Sequence, residues 1–119
     1  MGRKDLAHEN LEAARILLDR GLVRSAASRL YFALLQAAIF ALGRAGRTPA
    51  DSRKGLRYGS HDAVGDLVHL VRGREDDTAR FQSLRDLRVR ADHDRGPVGR
   101  REVEESTYEV FRFVREVTA

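Results

Sequence analysis

Residues 24–44 read RSAASRLYFALLQAAIFALGR. Leu30, Ala33, Leu34, Ala37, Ala38 and Ala41 recur there at i, i+3, i+4, i+7, i+8 and i+11, the spacing of one helical face. Tyr31, Leu35, Ile39 and Leu42 widen that stripe nearly all round, so the segment must be covered on several sides. The pattern predicts the central helix of a helical bundle. Its many alanines permit close helix approach and are compatible with contact to a second subunit.

The same period continues on both sides of this segment. Asp5 to Arg20 predicts a first helix with Leu6, Ala13, Ala14, Leu17 and Leu18 on its buried side, and Gly21 punctuates its end. Downstream, GRAGRTPADSRKGLRYG (43–59) is rich in Gly, Arg and Ser and predicts a long loop. Ser60 then caps a third helix carrying Val64, Leu67, Val68 and Val71. REDD at 74–77 reads as a polar break before a fourth helix with Phe81, Leu84, Leu87 and Ala91 inward. Gly96-Pro97-Val98-Gly99 predicts a second loop, and a last helix presents Val103, Thr107, Val110, Phe111, Val114 and Val117.

No stretch alternates long enough for a half-buried strand. Residues 1–119 therefore read as a single all-α domain, an up-and-down bundle of about five helices. Its first, second, fourth and fifth helices are expected to form a four-helix core.

Composition limits the chemistry. The chain of 119 residues has no cysteine, which excludes a disulfide framework and any cysteine-bearing zinc site. No two histidines stand at i, i+4 with a carboxylate, and no Gly-rich phosphate loop follows a strand. Neither a metal site nor a nucleotide-hydrolase loop is indicated, and no cofactor is expected. No apolar run is read as membrane-spanning and the first ten residues are polar, so a cytoplasmic protein without a membrane partner is expected. The net charge is +4, and all but two of the 22 lysines and arginines are arginine. Such a balance suits a phosphate-bearing partner, though arginine-rich usage also arises from genome composition or heat tolerance.

Ionisable groups concentrate in LRVRADHDRG (87–96), where the fourth helical pattern runs out. Arg88 and Asp92 are i, i+4 neighbours, an ordinary surface pair. His93 near a helix C-terminus is favoured by the dipole when charged. Arg88 and His93 lie about 140° apart in azimuth and about 7.5 Å apart in rise on an ideal helix. They converge only if the helix end unwinds or a dimer axis brings two copies together. Local spacing alone favours a solvated, salt-bridged terminus.

Several blocks taken together resemble a known family. LEAARILLDRGLVRSAASRLYFALLQAAIFAL (11–42) with its Leu30-Tyr31-Phe32-Ala33 core, GSHDAVGDLV (59–68) and LRDLRVRADH (84–93) are similar to the small prokaryotic HEPN domains (higher eukaryotes and prokaryotes nucleotide-binding). The last block resembles both the family's R…ADY ending and its ribonuclease signature, an arginine followed after four to six residues by a histidine. The resemblance spans nearly the whole chain. It implies a HEPN-like, dimerising bundle with Arg88 and His93 as the catalytic pair of a metal-independent endoribonuclease. On that basis His93 takes the 2′-OH proton or protonates the leaving oxygen, and Arg88 holds the scissile phosphate.

One histidine cannot serve as acid and base together, and the family's symmetric homodimer supplies the second. The resemblance further implies a toxin of a toxin-antitoxin module, partnered by a minimal nucleotidyltransferase acting as antitoxin, with tRNA or mRNA as target. Arg90, Arg95, Arg100 and Arg101 would line the approach, and Asp92 would orient the imidazole or pair with Arg88. Two positions depart from the pattern. Val89 follows the arginine where many active members are polar, and Arg95 stands where some toxins carry a tyrosine that their partner modifies. Relatives ending in ADY lack the histidine, so the resemblance also admits a non-catalytic HEPN module that partners a nucleotidyltransferase and binds nucleotide or RNA.

The remaining candidates have simpler expected roles. His61 follows the Ser60 cap and is expected to pack or bond there, with a ligand role as the minor alternative. Tyr31 is expected in the core with its hydroxyl satisfied, or facing the RNA cleft if the family pattern holds. His8 and His69 are expected to be solvated or at the surface.

Overall fold

A computed structural model describes residues 2–44, 75–93 and 96–119. Four helices make up these residues: α1 (Arg3–Asp19), α2 (Val23–Arg44), α3 (Glu75–His93) and α4 (Arg100–Thr118). No strand occurs among the described residues, in keeping with an all-α bundle. The predicted 43–59 loop is described only at Gly43 and Arg44, which belong to α2. The rest of it, the helix expected after Ser60, His61, His69 and Arg95 lie outside the described residues.

α1 starts where the Gly2 N–H donates to Asp5 Oδ2 at 3.4 Å, placing a carboxylate among the orphan amides of the first turn. It ends in a Schellman turn. Leu22 N–H bonds Leu17 O at 2.9 Å, Gly21 N–H bonds Leu18 O at 3.0 Å, and Gly21 takes φ +78°, which glycine adopts without Cβ strain. The predicted stop at Gly21 is therefore found. The buried stripe is rotated from expectation: Ala7, Leu11, Ala14 and Leu18 are buried, whereas Leu6, Ala13 and Leu17 are half-buried at its flank.

α2 is the hub. It packs on α1, α3 and α4, and α1 also packs on α4. Ala26, Ala27, Leu30, Tyr31, Ala33, Leu34, Leu35, Ala37, Ala38 and Leu42 are all buried on it, which accounts for a stripe too wide for one neighbour. Ala41 is only half-buried. Contrary to expectation, α2 is long and apolar enough to cross a membrane by length and composition, with a mean hydropathy of 1.4 over its best window. In this structure 56% of that window is buried against the protein's own helices.

Leu84, Leu87 and Ala91 of α3 face inward as predicted. The supposed break at 74–77 is instead helical from Glu75 onward, because acidic residues suit a helix's first turn. On α4, Val103, Val110 and Val114 are buried, but Phe113 takes the place predicted for Phe111, which is 39% exposed. Two residues apart, the phenylalanines lie about 160° apart in azimuth and flank the valine stripe on opposite sides. Periodicity cannot choose between them; packing against the rest of the bundle does.

Candidate functional site

The C-terminal end of α3 meets the N-terminal part of α2. Arg88 projects onto α2, its guanidinium carbon 5.3 Å from the Tyr31 ring centroid and 5.0 Å from that of Phe32. The two rings meet edge to face, and their quadrupoles attract the cation. Asp92, one turn on, places Oδ2 3.2 Å from Arg88 Nε. The buried Nε–H is not aimed along that line, so the contact is an electrostatic pair rather than a hydrogen bond. Arg88 is thus held by two aromatic rings and a carboxylate while 27% of its side chain stays accessible.

Ser28 Oγ of α2 donates to Asp92 Oδ2 at 3.5 Å, a long bond that tethers the same carboxylate. Asp92 therefore takes the pairing role that spacing suggested. Tyr31 is fully buried, so within one chain it lies in the core beneath Arg88 rather than on an open cleft.

His93 is the last residue of α3 and is exposed. The helix does not unwind before it, so Arg88 and His93 keep their separation of about 140° in azimuth. One chain does not bring the pair together.

The carbonyls at this helix end are not left to water. Arg24, near the start of α2, donates from Nη1 to Arg90 O at 2.8 Å and Ala91 O at 3.2 Å, and from Nη2 to Gly96 O at 3.0 Å. A planar fork satisfies three acceptors at the negative end of the helix dipole. Arg90 works from the other side: it makes a two-pronged pair with Glu102, at 2.8 and 3.3 Å, and donates to Pro97 O at 3.1 Å. The hydrogen bond that Arg90 donates to Glu102 raises the Arg90 pKa above the ordinary arginine value. Gly96, at φ +137°, makes the turn between them in a conformation that L side chains rarely adopt.

Arg100 and Arg101 pair with Glu104 and Glu105 along α4. His8 is exposed, as expected, and its Nε2 lies 3.1 Å from Thr118 Oγ1 at the far end of the bundle. No cluster of three His, Asp or Glu side chains that could hold a metal occurs among the described residues.

Beside the Arg88 cradle lies a groove of about 590 Å³. Leu17, Phe32 and Ala91 give it apolar walls, and Arg24, Ser25, Ser28, Arg29 and Asp92 give it polar ones. Arg29 reaches Asn10 Oδ1 at 3.3 Å. Local patterning missed Arg24 and Ser28 because their partners on α3 and after it stand 64 to 72 residues away. An arginine in the first turn of a helix was the one available signal, since it opposes the dipole unless something acidic or a carbonyl cluster receives it. Compared with known proteins, the chain matches no family model, and no curated protein matches it closely enough to be counted a relative.

Proposed function

We propose that the chain is a HEPN-type bundle whose homodimer is a metal-independent endoribonuclease with Arg88 and His93 as its catalytic pair. The observation that carries this reading is the state of Arg88. Rings and a carboxylate fix its guanidinium near the end of α3 with 27% of the side chain accessible, beside a groove whose polar walls are Arg24, Ser25, Ser28, Arg29 and Asp92. A permanently charged, pre-oriented fork is what a scissile phosphate requires as charge gathers on its oxygens.

In this mechanism a histidine takes the 2′-OH proton, and the 2′ oxygen attacks phosphorus. The bond to the 5′ oxygen breaks, a second histidine returns a proton to that oxygen, and the products are a 2′,3′-cyclic phosphate and a free 5′-OH. Because Arg88 and His93 diverge on one helix, the two histidines and the arginine must be gathered at a two-fold axis between copies. In a cell such an enzyme acts as the toxin of a two-gene module, restrained by a minimal nucleotidyltransferase.

The same divergence favours a second reading, a non-catalytic module that binds nucleotide or RNA and supports that nucleotidyltransferase. The two separate on incubation of the purified protein with total RNA and tRNA in EDTA, beside His93→Ala and Arg88→Ala. The enzyme is expected to cleave only as wild type, with both variants folded and dimeric. Cleavage retained by both variants removes the assigned pair, and an inert wild-type dimer leaves the binding module.

A further inference from the structure

The groove between α1, α2 and α3 holds three kinds of polar group: hydroxyls, a carboxylate, and the guanidinium groups of Arg24 and Arg29, of which Arg24 is turned to the carbonyls at the end of α3. The Ser25 and Ser28 hydroxyls can donate or accept, whereas the Asp92 carboxylate only accepts. Both described contacts to Asp92, from Arg88 Nε and from Ser28 Oγ, reach Oδ2. The other oxygen keeps acceptor capacity. Phe32, Leu17 and Ala91 supply an apolar bed, and Arg29 stands at the rim with a neutral partner, Asn10. The volume of about 590 Å³ falls among small-molecule sites. An apolar bed flanked by an acceptor-only group and a cation, both exposed, matches the parts of one nucleotide: a base on the bed and a phosphate at the cation.

A carboxylate also distinguishes bases. Cytosine and uracil have nearly the same outline, but cytosine presents an N4 amino group where uracil presents a carbonyl oxygen, and a carboxylate accepts from the first and repels the second. We propose that this groove is a subsite for one unpaired nucleotide of an RNA strand, next to the phosphate at Arg88, and that Asp92 makes it select cytosine over uracil. The choice of RNA as ligand rests on the function proposed above; the base preference rests on the groove.

The test uses strands that cannot be cleaved, so that it does not depend on catalysis. Fluorescence anisotropy with the intact protein compares a fully 2′-O-methylated heptamer of uridines with the same strand carrying cytosine at its centre. The cytosine strand is expected to bind about tenfold more tightly, the scale of a well-placed hydrogen bond to a base edge. Asp92→Asn, whose amide can donate to the uracil carbonyl, is expected to flatten the preference. Ser25→Leu, which fills the groove without touching the Arg88–Asp92 pair, is expected to abolish it.

Equal binding of the two strands overturns the proposal, even where the wild type cleaves RNA. A preference unchanged in both variants overturns it as well. Binding of cytidine monophosphate without binding of either strand overturns the strand subsite in favour of a free-nucleotide site. Discrimination without RNA cleavage upholds the subsite and removes only the enzyme.

Discussion

The middle of α2 and the end of α3 are built on opposite principles. α2 stabilises the bundle through shape: Leu30, Leu34, Ala37 and Ala38 are 1% exposed or less and meet three other helices. The end of α3 is held by charge, since Arg24 spans three carbonyls, Arg90 grips Glu102 and Pro97 O, and Asp92 faces Arg88. The first region tolerates little change in volume but needs no exact partner. The second needs particular donors and acceptors in place, and it is there that accessible ionisable groups collect. The density of charge in residues 87–96 thus has several sources: Arg90 fastens the turn, Arg88 lies half-buried on the α2 rings, and Asp92 and His93 are exposed.

Truncation should separate these principles most sharply in the core. Leu34→Ala removes methyl groups where neighbours cannot collapse fully, and a loss of about 2–5 kcal/mol is expected from urea denaturation. A loss well under 2 kcal/mol would mean that α2 is less tightly enclosed than its burial implies.

Arg24→Ala comes next. It strips a charged donor from three acceptors, at an expected cost of about 1.5–3 kcal/mol, with faster amide hydrogen exchange confined to the end of α3 and the turn after it. Arg24→Lys should recover only part, because one ammonium lacks the planar fork. Exchange that rises uniformly along the chain would show Arg24 to be an ordinary core contact. The smallest effect is expected from Arg101→Ala. Its side chain is 91% exposed in an i, i+4 pair with Glu105, and about 0.5 kcal/mol or less should register in the denaturation midpoint. A larger loss would bring α4's surface charges into the network that holds the end of α3.

Legibility in the sequence follows the same divide. Helical period located α2, the Gly21 stop and the inward set Leu84, Leu87 and Ala91, because each depends on neighbours within a few turns. It misplaced the α1 stripe and chose Phe111 over Phe113, where the answer depends on which flank another helix covers. At the candidate site the Arg88–Asp92 pair was readable from i, i+4 spacing. The Arg24 clamp, the aromatic cradle of Arg88 and the groove were not, since each joins α2 to an element more than 50 residues further along the chain.

The meeting of α1 with α4, marked by His8 and Thr118 across 110 positions, bears on how the chain acquires its shape. α1 and α2 are joined by the short turn at residues 20–22 and can pair early. The face of α2 that packs on α4 stays bare until that last helix arrives from more than 50 residues away. Docking α4 is therefore the slow, entropically costly event, as non-local contacts generally are. The naked α1–α2 hairpin, with so apolar a second helix, is the species most prone to aggregate while the chain is still incomplete.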